Sequence, residues 1–508
     1  MNLIALETLT IKKRMVWYAM LRKVVPGSII GILVGCSFSI LDKFGVAAFL
    51  ASAYTALVLP RPYLALLIFI GSIPFSAFEL VGFISPALAL GFVALIVAFF
   101  YFLVKGLKMY FDPLHILVAG IVFLASISVL YGSSYTDDQR YLGHALTELR
   151  RYWFAAIFYL LTFSLVWNIR QIKQIMWVIV ITGSLLAIIN VLQSQFQFSI
   201  PGVERGDLRG GDFLLDVIGG VPRSQGTTAH PVESGLILQV AFFISFFLLL
   251  AEKSPVRRSV LILTTFFIIP LGWAYTFARV SIIAILATIP YVMVKLRDKL
   301  NLRSISMAFG AIFLALVISP FVLEIWWDSP FMNRFRTIFH FSEDVAYRWR
   351  MDLVDASVKM FQDHPVFGFG VGNYQFTYMQ YLRPDHVTEW GFHPCPSPEN
   401  TYLTFVTEMG AVGLSFFLLL LVFALRNLSR VSKWYSQMGD SSAATMILGL
   451  EVALWSLIMA HAGGSLEFLK YFWLLIGLSA ATKKLRLYAE TGELMGKSDI
   501  TRLFENNK

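Results

Sequence analysis

Arginine supplies nearly all of the positive charge in three stretches of this 508-residue chain, 133–151, 194–231 and 326–398, where Lys359 is the single lysine. Together with the start of a later apolar stretch, they contain Arg140, Arg150, Arg151, Arg205, Arg209, Arg223, Arg279, Arg334, Arg336, Arg348, Arg350 and Arg383. A guanidinium group is planar, keeps its charge when partly buried and binds two phosphate oxygens at once. The pattern indicates phosphate or pyrophosphate chemistry. The other interpretation is that these arginines pair with neighbouring acids or contact lipid headgroups.

Residues 344–362 have the periodicity of an amphipathic helix. Arg348 lies four residues before Asp352, and this spacing explains it as the partner of that acid. Arg350 has no acid on its own row of the helix. Its partner must therefore come from elsewhere in the protein or from an anionic ligand.

A glycine-rich segment follows, with the sequence His-Pro-Val-Phe-Gly-Phe-Gly-Val-Gly-Asn-Tyr over residues 364–374. Its three glycines alternate with apolar residues. No strand and helix flank it in the order that a dinucleotide site requires. The segment predicts a tight loop in which the backbone closely approaches other groups.

Glu399 lies where the long arginine-rich stretch returns to an apolar span. Ser397 is a good helix N-cap and Pro398 a good first helical residue, which would place Glu399 in the first turn. The helix dipole favours an acid there. This explains the glutamate without a function. The alternative is that the carboxylate faces a bound substrate, and the residues alone leave both interpretations open.

Long apolar helices must position these side chains. Apolar residues make up 57% of the chain and charged residues 14%, against about 45–50% and about 25% in soluble domains. We predict an all-α polytopic membrane protein, a bundle of about 12–14 transmembrane helices with a large extracytoplasmic loop that carries short amphipathic helices. The predicted spans are 24–41, 44–59, 63–81, 84–105, 114–132, 152–168, 173–193, 232–251, 258–277, 279–295, 305–325, 400–425, 443–462 and 466–482.

Basic loops alternate with these spans and predict the orientation, because lysine and arginine mark cytoplasmic loops. Both termini are predicted to be cytoplasmic. The predicted segments are a cytoplasmic N-terminus (1–23), helices (24–325) with an outer loop at about 194–231, a large extracytoplasmic loop (326–398), C-terminal helices (399–484) and a cytoplasmic tail (485–508). The net charge of +9 lies between apolar spans and not in a soluble basic domain. No nucleic-acid partner is expected.

Several short motifs together resemble those of the O-antigen ligase and O-antigen polymerase superfamily. They cover roughly residues 220–480. The motifs are Arg223-x-x-Gly226, His230-Pro231, Arg279-Val280-Ser281, Arg348-x-Arg350, His364-Pro365-x-x-Gly368-x-Gly370-x-Gly372-Asn373-Tyr374, Glu399-Asn400-x-x-Leu403 and Glu408-x-Gly410-x-x-Gly413.

The resemblance implies a membrane glycosyltransferase with the C-type fold, in the inner (plasma) membrane of a bacterium with its active site on the periplasmic side. The implied donor is an undecaprenyl-pyrophosphate-linked glycan. The implied acceptor is a lipid-linked repeat unit, a lipid A core or, in some relatives, a pilin. Neither a metal nor a cofactor is expected, and a single displacement inverts the anomeric carbon. The resemblance assigns the pyrophosphate to Arg223, Arg279 and Arg350, with Arg348 as a further candidate.

The chain departs from the superfamily pattern at one position. Many relatives have histidine where this chain has Glu399, and the nearest histidine is His393. Either residue is chemically suited to act as the general base, or the role is not required. The departure favours a polymerase over a ligase. His230, Asn400 and His461 are possible supporting residues.

Two other classes of protein remain as alternatives. A transporter of a small anion or of a lipid-linked oligosaccharide would bind near the membrane midplane, with interrupted helices and buried charge. Here the charges lie at the predicted outer edge and the predicted spans look mostly unbroken. The third class is a non-catalytic assembly subunit, whose arginines would bind no donor.

Overall fold

The computed structural model describes residues 61–77, parts of 90–96, 112–196 apart from 137, 217–218, 221–297, 345–382 and 397–491. His393 and the predicted spans 24–41, 44–59 and 305–325 lie outside the described residues. The chain divides into two compact units, Met1–Leu107 and Lys108–Lys508. The first contains α1 (Pro62–Ser72), followed by a 3-10 turn. The second contains the predicted site residues.

Helices make up almost all of the described part of the second unit. They are α2 (Pro113–Gly132), α3 (Tyr141–Leu165), α4 (Ile169–Phe196), α5 (Pro231–Ala251), α6 (Pro255–Leu263), α7 (Ile269–Ala274), α8 (Arg279–Leu296), α9 (Val345–Asp363), α10 (Tyr374–Thr377), α11 (Thr401–Gln437), α12 (Ser441–Ala460) and α13 (Lys470–Thr491). A π-helical turn, Thr264–Ile268, joins α6 to α7. Two-residue strands, β1 (Val217–Ile218) and β2 (Val221–Pro222), pair antiparallel.

Side-chain caps fix the starts of several of these helices. The Asp112 carboxylate accepts a hydrogen bond from the backbone of α2, and Asp440 does the same for α12. His230 caps α5. In α2 and α5 a proline occupies the first turn, where its missing N–H leaves no donor unsatisfied.

The centre of the second unit is formed by α5 and α12, which pack on each other and are almost entirely buried. Around them, α4 and α8 pack on α5, while α11 packs on α12, α2 and α13. Large apolar side chains such as Phe123 and Leu130 are exposed on the outside of the bundle. Seven helical stretches of the described chain are long and apolar enough to cross a membrane. The chain is an all-α polytopic membrane protein, as predicted.

The predicted spans 114–132, 232–251 and 279–295 agree closely with α2, α5 and α8. Other boundaries differ. The span predicted at 152–168 begins earlier, at Tyr141, because the polar residues that precede it continue the helix as an amphipathic turn. The span predicted at 466–482 corresponds to α13, which begins at Lys470 and continues to Thr491.

The prediction of mostly unbroken spans is wrong for α11. Gly410 has φ 64° and ψ −164°, which no helical residue adopts, so the helix is interrupted there. Beyond this interruption α11 continues to Gln437 and is longer than the predicted span 400–425.

Candidate functional site

The glycine-rich loop closes the interruption in α11. Four backbone hydrogen bonds join the two segments: Phe369 N–H to Thr407 O, Gly370 N–H to Glu408 O, Ala411 N–H to Pro365 O and Val412 N–H to Val366 O, at 2.8–3.3 Å. A broken helix leaves backbone groups that lipid cannot satisfy. The loop therefore supplies what the helix loses, and it fixes residues 365–370 against the broken helix.

Close approach explains the glycines of this loop. Gly368 has φ 68°, and a Cβ there would lie 2.5 Å from the carbonyl oxygen of Thr407. Gly370 has φ 95°, and its Cβ would lie 2.6 Å from the carbonyl oxygen of Ser128 in α2. Only glycine combines a positive φ with so little space. The predicted tight loop is confirmed.

An ion pair joins α9 to the start of α11. Arg350 Nε lies 2.6 Å from Glu399 Oε2, and the two side chains are 37% and 39% exposed. The helix row of Arg350 contains no acid, and its partner comes from elsewhere in the chain, as the sequence predicted. That partner is the candidate general base.

The predicted start of α11 is wrong. The helix begins at Thr401, and Asn400 is its N-cap, because Asn400 Oδ1 accepts hydrogen bonds from the N–H groups of Tyr402 and Leu403. Glu399 therefore lies outside the helix and not in its first turn. Its φ of 49° is in the left-handed region, which costs a residue other than glycine on the order of 1 kcal/mol. The helix dipole does not explain this glutamate.

Asn400 also connects the start of α11 to the end of α12. Its Nδ2 donates to the carbonyl oxygen of Ala462 at 2.9 Å. The neighbouring His461 is fully buried, packs against Phe472 and hydrogen-bonds through Nδ1 to the Leu457 carbonyl oxygen. The two predicted supporting residues thus belong to one contact between α11 and the turn after α12.

Arg223 and Arg279 lie at a second contact, which joins residues 223–224 to the turn before α8. The backbone N–H of Ser224 donates to Tyr275 O at 3.0 Å, and Arg223 Nε lies 3.4 Å from Thr276 O. Tyr275 and Thr276 belong to the turn that leads directly into α8, whose first residue is Arg279. The structure therefore brings the segments of these two arginines together.

The two contacts adjoin each other. Val280, the second residue of α8, faces Gly463 in the turn after α12, where a Cβ would lie 3.2 Å from the valine side chain. This turn is the one that Asn400 binds. Arg279, Asn400 and Glu399 are therefore linked by neighbouring contacts at one end of the bundle.

Two predicted residues occupy other positions. His230 caps α5, with Nδ1 accepting from the Val232 N–H at 3.1 Å, so this nitrogen has a structural role. Arg348 lies on the other side of α9 from Arg350, because two residues turn an α-helix by about 200°. His393 lies outside the described residues.

Comparison with protein families finds a match over part of the chain. Residues 264–418 match the family model described as O-antigen ligase. The match covers about a third of the chain. No curated protein matches the chain. The matched residues include Arg279, Arg350, Glu399 and Asn400 and the interruption at Gly410, whereas Arg223 and His461 lie outside them.

Three acids near this site, Glu408, Glu148 and Glu467, are not among the predicted site residues. Glu408 is buried in α11, and its Oε1 accepts from the Gly372 N–H at 3.0 Å. Glu148 of α3 binds Arg151 at 2.8 Å. Glu467 is buried between α12 and α13. An acid within an apolar helix is a functional signal, and Glu408 carried that signal in the sequence.

Burial also changes the acidity of Glu467, which lies outside the membrane-spanning segments. Loss of hydration, with a smaller contribution from the nearby Glu148 carboxylate, raises the pKa of its carboxyl from 4.5 to about 7. Its own backbone amide, Thr401 and Arg151 favour the charged form and limit the rise.

Among the described residues, no group of three or more His, Cys, Asp or Glu side chains is arranged to hold a metal ion.

Proposed function

We propose that this protein is a membrane glycosyltransferase that transfers a glycan from an undecaprenyl-pyrophosphate carrier to a sugar hydroxyl. It would act as an O-antigen or exopolysaccharide repeat-unit polymerase or as an O-antigen ligase. One observation carries the proposal: within the residues that match the O-antigen ligase family model, the candidate phosphate ligand Arg350 is bound directly to the candidate base Glu399.

This ion pair suggests how donor binding prepares the base. In the resting protein, Glu399 Oε2 is occupied by the Arg350 guanidinium group. A pyrophosphate offers more charge and more oxygens than one carboxylate, and a guanidinium group binds phosphate bidentately. We expect Arg350 to exchange Glu399 for the donor, which frees the carboxylate to accept a proton. The base then becomes available only when the donor is in place.

The proposed reaction is a single displacement. The acceptor oxygen forms a bond to the anomeric carbon while the bond from that carbon to the pyrophosphate breaks. Glu399, or His393, takes the hydroxyl proton. Arg223, Arg279 and Arg350 offset the charge that develops on the leaving pyrophosphate. The anomeric configuration is inverted, and in this proposal the arginines perform the electrostatic role that a metal has in other transferases.

The proposed setting is the bacterial inner membrane, with the site on the extracytoplasmic side and both termini in the cytoplasm. The carrier's polyprenyl tail would remain in the bilayer beside the bundle. The basic loops at the opposite ends of the helices support this orientation.

The interruption in α11 is the feature that a transporter would use, because carriers bind solutes at broken helices. Here the freed backbone groups at Gly410 are bound by residues 365–370. They are therefore not available to coordinate a solute. This favours the enzyme over the carrier.

The test is deletion of the gene followed by electrophoresis of the surface glycan. Accumulation of single-repeat material would identify a polymerase. Full-length chains left on the carrier lipid would identify a ligase. An unchanged glycan pattern would contradict the proposal.

Complementation then tests the site. Arg279→Ala, Arg350→Ala and Glu399→Ala should each fail to restore the glycan. Arg140→Ala is the matched control, because Arg140 is largely exposed and pairs only locally with Asp138. Full activity in all three site variants would remove the site assignment while leaving the gene's role intact.

A further inference from the structure

Thr401, the first residue of α11, is held by the connection between α12 and α13. Its N–H donates to Gly464 O at 3.1 Å. Its Oγ1 accepts from the Leu466 N–H at 2.8 Å. The residue is fully buried. These two bonds hold the start of α11 against the α12–α13 connection.

The Thr401 hydroxyl has two acceptors within reach and one proton to give. Gly464 O lies 3.0 Å away and Glu467 Oε2 lies 3.2 Å away. A hydroxyl has one donor hydrogen and two lone pairs, and Leu466 already uses one lone pair. The hydroxyl can donate to Gly464 or to Glu467, but not to both at once.

The protonation state of Glu467 decides between these two arrangements. When Glu467 is ionised, its carboxylate is the stronger acceptor and takes the Thr401 hydroxyl proton. When Glu467 is protonated, its own O–H donates to the free lone pair of Thr401, and the Thr401 hydroxyl turns to Gly464. Each arrangement satisfies every group, so both are available to the folded protein.

The surroundings of Glu467 bring this choice into the neutral pH range. The residue is 5% exposed, and no lysine or arginine of the described chain lies within ion-pair distance of it. The groups that face it are Glu148, Arg151 and Tyr152 from α3 and Glu408 from α11. Arg151 is itself bound by Glu148. Burial accordingly raises the pKa of Glu467 to about 7.

We propose that Glu467 is a positioning residue, whose proton selects the hydrogen-bond arrangement of Thr401 and so sets the turn that carries Glu399. The inference rests on the proposed function. Glu399 precedes Thr401 by two residues, and Asn400 between them is bound to the same α12–α13 connection. The protonated form is the active one in this proposal, because the Thr401 hydroxyl then bonds to Gly464 O, the same acceptor that binds the Thr401 N–H.

The experiment measures glycan transfer by the purified protein in nanodiscs between pH 6 and pH 8. The probe is lipid-linked glycan extracted from the deletion strain. A rate that follows the protonated fraction of a group with a pKa near 7 falls about tenfold over this range. Glu467→Gln stays neutral and can still donate to Thr401, so it should keep its rate at pH 8. The decisive quantity is the ratio of the wild-type rate to the Glu467→Gln rate at each pH. Titration of the general base affects both rates equally and cancels in this ratio.

Three controls separate positioning from stability. Thr401→Ser keeps the hydroxyl, and its transfer rate should fall between pH 6 and pH 8 as in the wild type. Thr401→Val lacks the hydroxyl and should not show this fall in rate. Glu490→Gln removes a half-exposed acid that pairs with Arg486 and should leave the profile unchanged. The inference would be overturned by a Glu467→Gln protein that folds, transfers glycan and loses rate between pH 6 and pH 8 as the wild type does.

A second measurement does not depend on transfer. In the wild-type protein, the infrared C=O band of a protonated carboxyl should disappear between pH 6 and pH 8. The difference spectrum between these two pH values should lack this band in Glu467→Gln. Identical difference spectra would also overturn the inference. Absence of transfer by the wild type at every pH would instead contradict the proposed function.

Discussion

Arg350 Nε lies 2.6 Å from Glu399 Oε2, so the candidate phosphate ligand and the candidate base hold each other. Each is only partly exposed, and each is a charged group that a substrate must engage. The pair therefore connects two events, capture of an anion and release of a carboxylate. Removal of the Glu399 charge should therefore have opposite effects on pyrophosphate binding and on glycan transfer.

Glu399→Gln should bind inorganic pyrophosphate more tightly than the wild type while losing glycan transfer. Removal of the carboxylate charge frees Arg350, and a half-exposed pair of this kind is worth up to about 1 kcal/mol, or about fivefold in affinity. Isothermal titration of the purified protein with pyrophosphate measures the change. Arg350→Ala should weaken the same binding. Weaker binding by Glu399→Gln would contradict the exchange of partners.

Gly410→Ala should destabilise the protein severely. A Cβ at Gly410 would lie 2.2 Å from Val366 O, in addition to the strain of φ 64°. Thermal unfolding of the purified protein should show a large loss, or the protein should fail to accumulate. Gly439→Ala is the matched control, with φ 81° and no atom within 4 Å of the added carbon. It should cost only about 1 kcal/mol from backbone strain.

Stability should fall as the pH rises from about 4.5 to about 7, because the pKa of Glu467 is raised in the folded protein. Over this range the unfolded chain releases a proton that the folded protein keeps, and the full stabilisation is present only below the unfolded pKa. A rise of this size corresponds to about 3 kcal/mol, at about 1.4 kcal/mol per pH unit. Unfolding temperatures across this range should depend less on pH in Glu467→Gln. Equal slopes for the two proteins would contradict this.

Asn400→Asp and Asn400→Ala should separate two roles of one side chain. Asp keeps the N-cap of α11 but loses the Nδ2 bond to Ala462, whereas Ala loses both. Loss of a cap costs about 1 kcal/mol, so Ala should lower the unfolding temperature more than Asp. If the bond to Ala462 positions Glu399, both variants should lose transfer. Full transfer by Asn400→Asp would limit the residue to capping.

The sequence allowed prediction of features that depend on neighbouring residues or on the bilayer. The length of α2 and α5 follows from the thickness of a membrane, and the loop at Gly368 follows from its glycines. Arg350 could be recognised as lacking a partner, because a helix row is a local property. Glu399 could not be identified as that partner, since it lies 49 residues away along the chain.

The start of α11 and its interruption could not be predicted from neighbouring residues either, because both depend on contacts with distant parts of the chain. Ser397 and Asn400 are both good caps, and the choice between them depends on bonds to Ala462 and Gly464, more than sixty residues later. The interruption lies at Gly410, and a glycine does not by itself break a membrane-spanning helix. Its compensating hydrogen bonds come from residues 365–370, which local patterns do not connect to it.

The order of these two segments along the chain matters for biosynthesis. The loop that supplies the four bonds at Gly410 leaves the ribosome before α11 does. When the broken helix enters the bilayer, the groups that will satisfy its exposed amides and carbonyls have already been made. The reverse order would leave an incomplete helix waiting in lipid for residues not yet synthesised.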